Sequence, residues 1–323
     1  MNPSPRVLVV AEKDDPQLAM LREVPHQVVR SASEVASAAG DAAAGDADAI
    51  LHWSGQRDLL RAAFLACPRV RWVHSRWAGV DSLLFPELVA SDVLLTNGSG
   101  VFSQSLGEFA LAAILYFAKD LPRMLRNQRA ERWEPFDVEE IAGQTVGIVG
   151  YGDIGQAVAR RAHAMGMRVL ALKRHVPEKA DPLIEEFFKP EALLNLLEQC
   201  DYVVVSAPLT EETRHMMGDA EFAAMKPSAV VINVGRGPVI DQAALVRALE
   251  GGRIRGAGLD VFEHEPLPAG DPLWRMENVL VSPHTADHTR DWIDAAMRFF
   301  LRQYEHFREG EPLENVVNKQ LGY

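Results

Sequence analysis

Thr145-Val146-Gly147-Ile148-Val149-Gly150-Tyr151-Gly152-Asp153-Ile154-Gly155 is the stretch from which the rest of this 323-residue chain can be read. A β-branched apolar run leads into Gly150, Gly152 and Gly155 at G-x-G-x-x-G spacing, and a helical pattern, Gln156 to Met165, follows. The spacing alone is a weak signal, because glycines are common. A strand before it and a helix after it turn it into the signature of a dinucleotide-binding turn. Gly150 permits the tight turn, Gly152 lets backbone approach a pyrophosphate, and Gly155 lets helix and strand pack closely. The helix N-terminus then offers amides and a dipole to the phosphates. Gly150, Tyr151, Gly152, Asp153, Ile154 and Gly155 are therefore the first candidate cofactor contacts.

Outward from this turn, apolar runs recur as Val169–Leu172, Tyr202–Val205, Val230–Asn233, Gly258–Val261 and Val279–Val281. Val7–Val10, Ala49–Trp53 and Val93–Thr96 read as strands before it. Several of these runs are continuously apolar, the pattern of strands covered by helices on both faces. Glu191–Glu198 and Gln242–Glu250 read as helices between strands. The alternation predicts an α/β fold of two doubly wound parallel sheets of Rossmann-like type. Two long helical patterns break the rhythm: Phe102–Arg129, interrupted at Pro122, and Asp291–Arg308. Taken as links, they predict a nucleotide-binding domain over 102–289, inserted into a substrate-binding domain made of 1–101 and 290–323. The alanine-rich stretch Ala32–Ala49 reads as a surface helix and loop.

The bulk numbers fit this reading. The chain is 48% apolar and 24% charged, and 33 basic against 45 acidic residues leave a net charge of −12. That balance argues against a general nucleic-acid surface, although one local arginine can still hold an anionic substrate. Two cysteines, Cys67 and Cys200, cannot build a disulfide framework or a cysteine-rich zinc site, and no metal is expected. Cys200 reads as core packing. The N-terminus runs almost directly into Val7–Val10 with no signal-peptide pattern. The apolar run Phe109–Ala118 is shorter than the roughly 20 residues a bilayer span needs. A cytoplasmic protein with no membrane partner is expected.

Three segments bring polar side chains to strand ends: Val231-Ile232-Asn233-Val234-Gly235-Arg236-Gly237, Leu259-Asp260-Val261-Phe262-Glu263-His264-Glu265-Pro266 and Val281-Ser282-Pro283-His284-Thr285-Ala286. Ligands of open parallel sheets bind outside the carboxyl ends of the strands, where Arg236, Asp260, Glu265 and His284 can share a cleft. Reduction of a keto acid needs this inventory. A planar guanidinium holds a carboxylate and polarises a carbonyl. A histidine delivers a proton at neutral pH, and a carboxylate beside it favours the imidazolium. Taken singly, Arg236 reads as a strand cap, Glu265 as a solvated side chain and His284 as a core histidine; downstream of a dinucleotide turn, the combination favours chemistry.

The strand Val169–Leu172 ends in Lys173-Arg174-His175, with no carboxylate. NAD-specific sites place an Asp or Glu about 20 residues after the glycines, on the adenosine ribose. Lys173 and Arg174 would instead attract a 2′-phosphate. NADP(H) is therefore expected to be preferred, with NAD(H) as the second cofactor; a solvated basic turn is the plainer reading.

These segments, together with Gly79-Val80-Asp81, Gly107-Glu108 and Ala207-Pro208-Leu209-Thr210, resemble the D-isomer-specific 2-hydroxyacid dehydrogenases over nearly the whole chain. That family includes glyoxylate/hydroxypyruvate reductases, phosphoglycerate dehydrogenases and formate dehydrogenases. The resemblance implies that Arg236 binds substrate carboxylate and keto oxygen, that Glu265 pairs with the acid/base His284, and that Asp260 contacts the nicotinamide. It also implies that backbone at Ala78 and Gly79 receives the carboxylate. Ala207, Pro208, Val234, Gly235 and Ala286 join Arg236, Asp260 and His284 as implied cofactor contacts. D stereochemistry and a homodimer built on the long helices after Gly100 come from the resemblance too. The helical segment Gln104–Arg129 adds to the dimer expectation, being more apolar than one surface face needs. Trp77 stands where many members carry a small residue, and lines the pocket or packs nearby. Glu265 separates the chain from the formate dehydrogenase branch, which has glutamine there. The pair Asp287-His288 is unusual and has no reading from the sequence. The alternative from another class is a nucleotide-binding sensor or corepressor-like protein on the same fold.

Overall fold

The computed structural model describes residues 4–12, 14–40 and 46–323. Its contacts divide the chain into two compact units, Met1–Phe102 with Arg290–Tyr323, and Ser103–Thr289.

In the first unit five parallel strands, β1 (Val7–Val10), β2 (His26–Val29), β3 (Ala49–His52), β4 (Trp72–Ser75) and β5 (Leu94–Thr96), lie in the order β2-β1-β3-β4-β5. Helices α1 (Ala32–Gly40), α2 (Arg57–Ala66) and α3 (Pro86–Val89) connect them. Residues 41–45 of the alanine-rich stretch lie outside the described residues. β1, β3 and β4 are buried along their whole length; the apolar run of β1 is the pattern expected of a strand covered on both faces, whereas β4 buries the polar His74 and Ser75 as well. One core packs Leu8, Ile50, Leu60, Val73 and Phe85. The sheet reverses direction of growth between β1 and β3, which makes their carboxyl ends its natural crevice.

The second unit opens with α4 (Ser103–Ala118) and α5 (Leu121–Arg129). The break falls at Asp120, whose φ of 48° ends one helix and whose carboxylate caps the next by accepting from Arg123 N–H at 3.3 Å. Pro122 sits in the first turn of α5, where a missing N–H costs nothing. Seven strands follow: β6 (Thr145–Val149), β7 (Arg168–Leu172), β8 (Glu186–Phe188), β9 (Tyr202–Val205), β10 (Val230–Asn233), β11 (Gly256–Leu259) and β12 (Val279–Val281). They are parallel in the order β12-β11-β10-β9-β6-β7-β8, so growth reverses between β6 and β9. Helices α6 (Asp153–Ala164), α7 (Leu193–Leu197), α8 (Asp219–Ala224) and α9 (Gln242–Glu250) lie between strands, and α10 (Trp292–Glu309) belongs to the first unit.

The doubly wound parallel architecture read from the sequence is thus present in both units. One strand differs in register: the run read as Gly258–Val261 pairs over Gly256–Leu259, ending where Asn233 meets Leu259. Gly256 and Gly258 look like turn residues, yet they lie under α4. A Cβ on Gly256 would stand 2.5 Å from Phe117 and one on Gly258 3.1 Å from Ala113. The helical run Glu191–Glu198 divides into a 3-10 turn, Pro190–Ala192, and α7. Cys200 packs under β6, where a Cβ on Gly147 would meet its Sγ at 2.4 Å; burial pushes its thiol up to about 12 and that of Cys67 to about 11. Neither is a ready nucleophile. No helix among the described residues is long and apolar enough to cross a membrane.

Candidate active site

The glycine turn lies at the β6/β9 reversal of the second unit. Gly150 has φ +101°, which only glycine adopts readily, and a Cβ there would stand 2.6 Å from the Ala207 amide. A Cβ on Gly155 would stand 2.4 Å from the Gly150 carbonyl. Gly152 is different: its φ of −96° suits any residue, and a Cβ there meets nothing within 4 Å. The protein's own packing does not demand this glycine. Close approach of a ligand to the first turn of the 12-residue helix α6 would. The residues present thus fit a dinucleotide pyrophosphate. From the end of β9, Ser206 Oγ donates to the Gly150 carbonyl at 2.7 Å and ties the two halves of the turn together.

After β7, Lys173 Nζ lies 5.7 Å from the ring centroid of Tyr151. Tyr151 donates its hydroxyl to Asp181 at 2.7 Å; burial, and that bond, raise its pKa. Arg174 forms an ion pair with Glu212, an exposed residue of the segment after β9. Glu212 and Asp181 were invisible to sequence reasoning, being 38 and 30 residues from the side chains they bind.

The candidate catalytic residues occupy the carboxyl ends of β10, β11 and β12. Buried Asn233 shapes the first loop: its Nδ2 donates to the Arg236 carbonyl at 3.0 Å, and its Oδ1 accepts from Gly235 N–H at 3.1 Å. Arg236 Nη1 donates to the Gly235 carbonyl at 2.9 Å. Gly237 lies flat against the next loop, since a Cβ there would overlap the Phe262 carbonyl.

Asp260, 1% exposed, organises the loop that carries His284. Its Oδ1 accepts from Ser282 Oγ at 2.6 Å, Thr285 N–H at 3.0 Å and Ala286 N–H at 3.1 Å. Glu265 Oε1 accepts from Phe262 N–H at 2.9 Å, and its Oε2 lies 2.7 Å from His284 Nδ1. The hydrogen bond to Glu265 raises the His284 pKa against the opposing effect of burial; the charges of Glu265 and Asp260 add to the rise and Arg236 reduces it. Burial pushes Glu265 up, but the bonds from His284 and Phe262, with the charges of His284 and Arg236, leave it lowered on balance. Both shifts run in the direction that favours a protonated imidazole beside an ionised carboxylate. Asp287, which had no reading, is half-buried 3.6 Å from His288, and burial raises its pKa.

In the first unit, the carbonyls of Trp77 and Ala78 accept from Gly98 N–H at 3.0 Å and Asn97 Nδ2 at 2.5 Å. Among the described residues the amides of Ala78 and Gly79 have no acceptor. Trp77 packs against His52, with ring centroids 5.5 Å apart, and over Gly55.

Residues 111–286 match the model of the D-isomer specific 2-hydroxyacid dehydrogenase NAD binding domain. A glyoxylate reductase of Korarchaeum cryptofilum is 37% identical over 264 residues, 80% of this chain and 79% of that one. A D-isomer specific 2-hydroxyacid dehydrogenase from Xanthobacter autotrophicus Py2, solved with NADPH and MES, superposes with a TM-score of 0.83 at 33% identity, covering 99% of this chain and 100% of the other. An NADPH-dependent glyoxylate/hydroxypyruvate reductase from Sinorhizobium meliloti, solved with NADP and sulfate, has the same TM-score at 27% identity, again over 99% and 100%.

Proposed function

This chain belongs to the D-isomer-specific 2-hydroxyacid dehydrogenase family and is an NAD(P)-dependent dehydrogenase; from that premise we propose that it reduces a small 2-keto acid to the D-2-hydroxy acid, with NADPH preferred. The observation that carries the detail is the His284–Glu265 pair, 2.7 Å apart, with His284 on a loop held by Asp260 and Glu265 on the loop after β11, at the carboxyl ends of the same sheet as Arg236. The bound dinucleotide supplies the hydride. Glu265 accepts from His284 Nδ1, which leaves Nε2 to give its proton to the keto oxygen as the hydride reaches the carbonyl carbon. Charge balances: one hydride and one proton convert the ketone to the alcohol. Arg236 holds the carboxylate through its planar fork and draws electron density from the carbonyl. In the first unit, the reading assigns the free amides of Ala78 and Gly79, with Trp77, to the substrate.

Preference for NADPH rests on Lys173 and Arg174 at the end of β7, where no carboxylate waits for a ribose hydroxyl. The NADPH-containing relatives support it. A 2′-phosphate must compete with Glu212 for Arg174, so Lys173 carries more of the discrimination than the sequence suggests. The candidate cofactor contacts remain those around Gly150–Gly155, Ala207–Pro208, Val234–Arg236, Asp260, His284 and Ala286. The sensor-like alternative is disfavoured by the intact His284–Glu265 pair. Homodimerisation through α5 and the segment after it is part of the same proposal. α5 buries none of its residues, and Leu121, Met124, Leu125, Trp133 and Val138 are exposed, Trp133 by 97%.

The test is loss of reduced-nicotinamide absorbance with glyoxylate, hydroxypyruvate and bulkier aliphatic and aromatic 2-keto acids. Turnover with at least one, faster with NADPH than NADH, is expected. No turnover with any of them would overturn the proposal.

A further inference from the structure

The carboxyl ends of β1, β3 and β4 in the first unit hold a cluster centred on Arg76, a residue that the reaction above does not use. The Arg76 guanidinium lies 4.2 Å from the ring centroid of Trp77, 5.0 Å from that of Trp53 and 5.7 Å from that of Trp292. The Trp53 indole is itself fixed, donating Nε1–H to Asp15 at 2.7 Å across the β1/β3 reversal. Gly55 leaves room for the Trp77 indole, since a Cβ there would stand 3.1 Å from it.

Indole faces satisfy the charge of a guanidinium but not its N–H groups, which point outward in its plane. Arg76 Nε is buried without a hydrogen-bond partner, and no other guanidinium nitrogen of Arg76 has one among the described residues. Asp15 is the nearby carboxylate, and its two oxygens are taken by Gln17 N–H and Trp53 Nε1–H. Beside the cage lies His52, fully buried, with neither ring nitrogen hydrogen-bonded. Burial lowers its pKa to about 4, and the charge of Arg76 lowers it further. Burial likewise lowers the pKa of Arg76, which Asp15 partly offsets. A half-buried cation with unmet donors, at the strand ends where parallel sheets bind ligands, is built to receive an anion. Arg76 immediately precedes Trp77–Gly79, the segment assigned to substrate.

We propose that Arg76, held among Trp53, Trp77 and Trp292, is a specificity-determining residue that favours 2-keto acids carrying a second anionic group, a carboxylate or a phosphate. This rests on the reading that the chain reduces 2-keto acids. A planar guanidinium takes either anion through paired N–H donors. The indoles exclude water around it and hold its plane, which an unsupported surface arginine lacks.

The test compares kcat/KM for oxaloacetate, 2-oxoglutarate and phosphohydroxypyruvate with that for pyruvate, 2-oxobutyrate and hydroxypyruvate. Wild type should favour the doubly anionic set, and the dicarboxylic and phosphorylated members separate the two anion sources. Arg76→Gln should lower the ratio of the two sets by about ten- to a hundredfold, the usual weight of a charge-assisted hydrogen bond. Arg76→Lys keeps charge and stacking without the fork and should fall between; it decides the matter if Arg76→Gln does not fold. Equal losses on both sets, or a wild type indifferent to the second anion, would overturn the proposal and leave keto-acid reduction standing. A wild type that reduces no 2-keto acid would overturn both.

Discussion

His284 sits at φ 54°, a left-handed conformation that costs a residue with a side chain of order 1–3 kcal/mol. Asp260 imposes it, taking the Ser282 hydroxyl and the Thr285 and Ala286 amides on one oxygen. The result aims Nδ1 at Glu265 and sets the direction of the His284 pKa. Reduction needs the imidazolium, so kcat/KM should be flat at low pH and fall as pH rises through that raised pKa. Glu265→Gln removes the first cause of the rise and leaves burial acting downward, so the falling limb should move to lower pH. A pH–rate profile of the variant checks this, and an unmoved limb would assign the limb to another group. His284→Ala should lower turnover by about 10²–10⁴ with NADPH affinity little changed, checked by steady-state kinetics and cofactor titration. Arg236→Lys keeps charge but loses the fork, and keto-acid kcat/KM should fall by about tenfold or more. The sequence made Arg236, Asp260, Glu265 and His284 legible as candidates because each lies within a few residues after an apolar strand-like run. It could not show that Asp260 holds the His284 loop or that Glu212 occupies Arg174, because spacing places a residue on an edge without giving its bonds.

At the scale of the element, β6, the glycine turn and α6 separate two reasons for conserving space. Gly155→Ala would drive a Cβ to 2.4 Å from the Gly150 carbonyl and should destabilise the fold by about 1–3 kcal/mol. Gly152→Ala meets no protein atom and has ordinary backbone angles, so the melting temperature should hold while KM for NADPH rises about tenfold or more. Equal melting losses for both variants would show that Gly152 is a packing residue after all. The legible elements were those whose strands lie buried on both faces, such as Tyr202–Val205 and Val230–Asn233. The missed ones are short or polar. β2 is His26–Val29 with one buried residue, and β8 is a three-residue edge strand. β4 contains His74, a polar residue that interrupts the apolar signal yet lies fully buried against Trp72, Phe299 and Phe300.

Across the whole molecule, buried His52 and His74 tie stability to pH. Burial holds His52 at about 4 and His74 at about 3, whereas an unfolded histidine titrates at about 6.5. Above pH 6.5 neither state is charged at these sites and no penalty exists. As pH falls below 6.5 the unfolded chain takes up protons that the folded chain refuses, so stability drops until the folded values are reached. His284 acts in a different window: its raised pKa contributes stability that is fully present below pH 6.5 and is lost as pH rises through that raised value. Below pH 6.5 the two buried rings therefore set the histidine slope, which between pH 6.5 and 4.5 should be destabilising, about 1.4 kcal/mol per pH unit for each unbalanced proton. Ordinary carboxylates add to the loss only lower down. His74 Nδ1 lies 2.7 Å from Thr96 Oγ1 and its Nε2 has no partner, so His74→Asn removes a titrating ring at a site already short of hydrogen bonds. That variant will start less stable, which is why the slope and not the absolute value is the readout. Urea unfolding of wild type and His74→Asn at pH 7.5, 6.0 and 5.0 measures it. The variant should lose less stability per pH unit than wild type; parallel slopes would mean that acid sensitivity arises from groups other than His74.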